Sequence, residues 1–118
     1  MNKAVNDLIQ RLTSQPETIM FEEVMLVIDE HFNFNPVGFD NGEQRNEAGE
    51  NAGSCKVLSF SEMYNLNKEQ ALGLFAQYYR DVIKTPDGCD HQNIRQFMQN
   101  GFSRLSFDDV ALTPKDIV

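Results

Sequence analysis

The chain has 118 residues, 41% of them apolar and nine of them phenylalanine, with a net charge of −8. That length suits a single domain over 1–118 able to bury its own core, and the composition excludes a chain disordered throughout. The ten Lys and Arg residues are scattered, which excludes the basic face that nucleic acid or an anionic membrane surface requires of a partner. No apolar run exceeds residues 24–28, far below a bilayer span.

Val5, Leu8, Ile9 and Leu12 recur at helical spacing, so a first helix is expected to end near Thr13, with Asn2 as N-cap. Residues 14–18 break the pattern at Pro16, and Ser14 with Glu17 is spaced for a capping box. Phe21, Val24, Met25, Ile28 and Phe32 mark a second helix ending at His31; Leu26 and Val27 widen its apolar stripe, so it is expected to be largely buried.

Residues 33–56 follow, bearing Gly38, Gly42, Gly49 and Gly53 and the turn signal Asp40-Asn41-Gly42. A long, ordered central loop is expected here, and loops of this length in small domains tend to be functional or disordered. A third helix is predicted over 55–64, capped by Ser54, with Val57, Leu58, Met63 and Tyr64 as core contacts. The competing reading is a strand over 54–60.

Asn67 and Gln70 form a capping arrangement that opens a single central helix over 68–84, with Leu72, Phe75, Tyr79, Val82 and Ile83 on its main face. Gly73 inside that helix implies close approach by another backbone. Thr85-Pro86-Asp87-Gly88 reads as a type I turn. Asp90 is then expected to cap a helix bearing Ile94, Phe97 and Met98, which ends at a left-handed Gly101 with Phe102 packed on Phe97. Residues 103–118 show no clear period and are expected to lie along the surface of the bundle.

The fold class is therefore mainly α, about five helices in one bundle around a long ordered central loop. The α+β alternative pairs two short strands, over 34–39 and 54–60, across the loop.

The stretches FNPVGFDNGEQRNEAGENAGSCK, QALGLFAQYYRDVI and HQNIRQFMQNGF together resemble the HopJ type III effector family, from the first helix to about Leu112. The most specific part is Phe39, Asn41-Gly42, Asn46, Ala48-Gly49, Asn51 and Gly53-Ser54-Cys55-Lys56. Phe102 stands where the family commonly has tryptophan. The resemblance implies a bacterial protein, injected into host cells by a type III system, and carries over no catalytic residues. The chain opens on a helical stripe without the polar, serine-rich stretch of such substrates, and without a cationic start and apolar core for Sec export. The bacterial cytoplasm is thus the expected location, with type III secretion as the alternative. Cys55 and Cys89, which form no CxxC pair, fit that reducing compartment.

Ser54, Cys55 and Lys56 are expected at the start of the third helix, where free N–H groups favour anions. With Asn41, Asn46 and Asn51 they make a candidate ligand-binding set, although the loop does not match GxxxxGK[ST] and Glu50 opposes an anion. Cys55 is a candidate nucleophile with His31 or His91 as base; the plainer reading is a packed thiol. Asp40, Glu43, Glu47 and Glu50 suit a hard cation in oxygen chemistry but fit no EF-hand spacing, so no metal or cofactor is expected. The asparagines also have a structural reading, in which they bond nearby backbone, Arg45 pairs with a carboxylate and Phe34 and Phe39 anchor the loop.

Two functional readings result. One is an interaction protein that meets a protein partner through residues 33–56, and the other a small enzyme or ligand-binding domain using Ser54, Cys55 and Lys56.

Overall fold

A computed structural model of the chain describes residues 3–115. The first helix, α1 (Lys3–Ser14), buries Val5, Leu8 and Leu12 as its spacing predicts; the expected cap Asn2 lies outside the described residues. Instead of a capping box, a 3-10 turn (Pro16–Thr18) leads to α2 (Phe21–His31). Arg11 clamps this junction, donating to Glu23 at 2.7 Å and to the Thr18 carbonyl at 2.9 Å. Only Val24 and Ile28 of α2 are fully buried, and Leu26 is 60% exposed. The helix presents one face to the core, so the expectation that it is largely buried is corrected.

The central segment is not one loop. Strand β1 (Phe32–Phe34) leaves α2 directly, and β2 (Phe39–Asn41) and β3 (Gln44–Asn46) form a hairpin across Gly42 and Glu43. Gly42 has φ +60, the left-handed value that the first position of this two-residue turn requires. Two strands from the end of the chain complete the pairing. β4 (Leu105–Phe107) lies antiparallel to β2, and β5 (Leu112–Pro114) lies antiparallel to β1. The C-terminal residues therefore pair with β1 and β2 of the central segment, where they were expected only to cover the bundle. Residues 116–118 lie outside the described range.

Helix α3 (Ala52–Met63) begins three residues earlier than expected. Asn51, at φ +50, is its cap residue, so Ser54 sits in the first turn, and the strand alternative over 54–60 fails. The predicted central helix is two helices, α4 (Lys68–Gly73) and α5 (Gln77–Lys84). Leu74, Phe75 and Ala76 are all buried. Three consecutive residues sweep about 200° around a straight helix, so burying all three requires the chain to turn, and Ala76 takes φ +56 to do so. Gly73 faces the Leu12 side chain, not another backbone.

The Asn67 and Gln70 capping box forms as predicted, as does the turn at Thr85, with a 3.0 Å bond from Gly88 N–H to the Thr85 carbonyl. His91, not Asp90, caps α6 (Gln92–Asn100); Asp90 instead accepts from Arg95 at 2.7 Å. Gly101 follows at φ +58, and Phe102 packs edge-on against Phe97 with ring centres 5.0 Å apart.

The architecture is α+β: among the described residues, six α-helices and two small antiparallel sheets of order β1-β5 and β3-β2-β4. The helices bear out part of the mainly α expectation, and the two sheets bring the chain closer to the α+β alternative, although with other strands than the pair expected over 34–39 and 54–60. Phe39, Phe60 and Phe97 fill the core with Ile19, Ile28, Leu58 and Leu72. Met63 and Ile83, expected inside, are 39% and 53% exposed. No helix among the described residues is long and apolar enough to cross a membrane.

Candidate functional site

In the hairpin, side chains alternate between faces as strand geometry dictates. Phe39, Asn41 and Asn46 point inward and are fully buried, while Asp40 and Arg45, directly opposite one another, point out. Phe39 stacks on its cross-strand partner Phe107 at 5.3 Å, which anchors the segment as expected.

Beneath the hairpin, the amides form a connected network with α6. Asn93 Nδ2 donates to Asn46 Oδ1 at 2.9 Å, and Asn46 Nδ2 donates to Asn93 Oδ1 at 3.1 Å. Asn41 Nδ2 donates to the Asn93 carbonyl at 2.8 Å and to Asn93 Oδ1 at 3.0 Å. Asn51 Nδ2 adds a 2.7 Å bond to Asn46 Oδ1. Asn41 Oδ1 is buried without a partner. Satisfied buried amides specify one arrangement of their elements, since any slip strands donors and acceptors away from water. Three of the predicted asparagines thus come together, and their frame is Asn93, which the sequence reading missed. It lies four residues before Phe97 on the inward face of α6, and a polar residue on an apolar face was the available signal.

On the outer face, Arg45 gathers three carboxylates, with Asp108 at 2.7 Å, Glu47 at 3.3 Å and Asp40 at 3.4 Å. The Arg45 hydrogen bond holds the Asp108 carboxyl below its ordinary pKa, and Asp108 and Glu47 raise that of the guanidinium. A methyl group on Gly38 would collide with Arg45 and Asp108, so glycine makes room for this cluster.

The residues after Asn51 are arranged differently. Cys55 is 1% exposed, and burial pushes its thiol pKa up; weaker opposing influences come from the Val37 backbone, the Ser59 hydroxyl and the Lys56 charge. A thiolate is thus disfavoured there, and neither histidine is among the groups that act on it. His91 lies against Tyr78 with ring centres 5.5 Å apart, and His31 approaches Glu30 at 3.9 Å. Lys56 is engaged with Asp29 at 2.7 Å and over the Phe34 ring at 5.0 Å. Ser54 lies in the first turn of α3, whose next N–H, that of Cys55, already bonds the Asn51 carbonyl at 3.0 Å.

Of the acidic set, Asp40 and Glu47 meet Arg45, and Glu50 accepts the Glu47 N–H at 2.9 Å. Among the described residues, no three His, Cys, Asp or Glu side chains are grouped to hold a metal ion.

Comparison with known proteins matches the model of the family described as HopJ type III effector protein over residues 5–112. The crystal structure of the unknown-function protein VPA0580 is similar, with a TM-score of 0.92 and 42% sequence identity over 98% of this chain and 97% of that one. Comparison with curated proteins finds no match. With that family match spanning nearly the whole chain, it belongs to the HopJ type III effector protein family.

Proposed function

We propose that this HopJ-family protein acts by binding a protein partner, with the outer face of the β3-β2-β4 sheet as its working surface and the buried asparagines as the frame behind it. The observation that carries this reading is the placement of the Asn41, Asn46 and Asn93 amides directly behind Asp40 and Arg45. A pre-ordered surface loses little freedom on binding, so more of its contact energy appears as affinity. The burial of Cys55, which disfavours its thiolate, gives the alternative enzymatic reading no comparable support. The effector description of the family supports a bacterial origin and delivery by a type III system.

Photo-crosslinking tests the surface. A benzoylphenylalanine at Asp40 or Glu43 should capture the same partner from host or bacterial extract, and one at Lys84 on α5 should not. Equal capture from all three positions, or none from Asp40 and Glu43, overturns the proposal.

A further inference from the structure

A second surface lies where the end of α3 meets the connection between β4 and β5. Two open troughs of about 400 Å³ each meet at Glu62. One is bounded by Asn65, Leu66 and Phe102, and the other by Met63, Phe107 and Val110. Met63 and Val110 are 39% and 60% exposed, a pair of large apolar side chains on the wall of one trough.

Glu62 is the polar centre of this surface, yet its side chain makes no hydrogen bond or ion pair among the described residues. The side chain stands exposed at the rim of both troughs, where partial desolvation with no cation beside it raises its pKa. Asp109 on the same wall adds negative charge. Ser59 Oγ, also on the wall, is buried and unpaired apart from a loose approach to the Cys55 thiol. A carboxylate beside exposed apolar groups complements a cation beside apolar groups. The net charge of −8 repels nucleic acid and anionic lipid. Two troughs that meet at Glu62, one of them lined by Phe107 of the edge strand β4, suit an extended chain better than a compact small molecule.

We propose that these troughs form the docking site for an extended segment of a partner protein in which an arginine or lysine is flanked by aliphatic residues. The cation meets Glu62, and the aliphatic side chains cover Met63 and Val110. This site uses residues separate from Asp40, Arg45 and Asp108, so it stands or falls independently of the sheet face.

The test uses acetylated heptapeptides with leucines flanking a central arginine, citrulline or glutamate, titrated into the whole protein and followed by amide NMR. The arginine peptide should shift Glu62, Met63 and Val110 and bind at least about tenfold more tightly than the citrulline peptide, or 1.4 kcal/mol. Glu62→Gln should remove that difference with an unchanged melting temperature or a higher one, and Val110→Asp should weaken all three peptides. Equal binding of arginine and citrulline peptides overturns the proposal, as do shifts confined to Asp40 and Arg45. A concentration-dependent dimer that buries Val110 would assign the surface to a second copy of the chain and also overturn it.

Discussion

Asn46 and Asn93 exchange side-chain hydrogen bonds in both directions, at 2.9 and 3.1 Å, and so tie the β2-β3 hairpin to the first turn of α6. Removing either amide strands its partner in a dry site, at a cost of about 1–3 kcal/mol per group. Asn46→Ala should cost more than Asn93→Ala, because Asn46 also accepts from Asn51 while the Asn93 carbonyl still serves Asn41 after truncation. The double variant should lose less than the sum of the two, the mark of a shared interaction. Urea unfolding of the three variants measures both the order and the coupling.

Gly42 and Gly49 both have positive φ, yet they should differ sharply in tolerance. A methyl group at Gly42 would overlap Gln96 Oε1, which accepts the Glu43 N–H at 2.9 Å, whereas one at Gly49 meets nothing within 4 Å. Gly49→Ala should therefore cost about 1 kcal/mol from backbone strain alone, and Gly42→Ala about 2–3 kcal/mol with loss of the turn's tie to α6. Thermal melts provide the comparison, and amide exchange at Glu43 should accelerate only in Gly42→Ala.

Local signals were legible where a few neighbouring residues decide the outcome. The α4 capping box, the Thr85 turn, the Gly101 ending and the Asn41-Gly42 reversal are all of this kind, as is the pairing of Arg45 with carboxylates. Five strands of three residues each were not, because three residues cannot display an alternating pattern, and four of these strands pair with a partner far along the chain. The break after Gly73 was hidden for another reason. Leu74 and Ala76 are good helix formers and Phe75 is tolerated in helices, so the demand to bury all three is what turns them out of the helix. At the candidate site, the asparagines of the hairpin stood out by their density, whereas Asn93 acquires its meaning only when α6 is folded beneath them.

Ala76 has φ +56 and ψ −125, a region that suits glycine and strains any residue with a Cβ by about 1–3 kcal/mol. Glycine relieves that strain but gains freedom in the unfolded chain, which offsets about 0.5–1 kcal/mol. Loss of a methyl that is 1% exposed takes away about 0.8 kcal/mol more, so Ala76→Gly should lie between about 1 kcal/mol below and about 2 kcal/mol above the wild type, well above the usual outcome of a buried truncation. Ala76→Val should lower it and, by disturbing the junction, loosen α5 against α4. The melting temperature of Ala76→Gly should stay near or above that of the wild type, and that of Ala76→Val should fall clearly below it.

Cys55 and Cys89 are both free, but the first is buried and the second exposed. In the native protein iodoacetamide should label Cys89 readily and Cys55 about a hundredfold more slowly or less, because the buried thiol must wait for local opening. Mild urea should close the gap before the helical signal is lost. Rapid native labelling of Cys55 would instead place a reactive thiolate at the start of α3 and reopen the nucleophile reading.

The Arg11 and Glu23 pair sets an acid limit on the joint between α1 and α2. The Arg11 hydrogen bond, helped by the Met20 N–H, holds the Glu23 carboxyl below its ordinary range against a smaller desolvation effect. A carboxylate depressed in the folded state contributes stability above its unfolded pKa and loses it as pH falls through the folded value. Glu23→Gln should thus be less stable than the wild type at pH 7 by about 1 kcal/mol, the scale of a half-exposed ion pair with a helix-capping bond. The gap should narrow as the pH drops below about 4.5 and vanish once the wild-type carboxyl is protonated, and 1 M salt at pH 7 should shrink it only in part. A gap that stays constant from pH 7 to pH 2 would mean that Glu23 acts through packing and not through its charge.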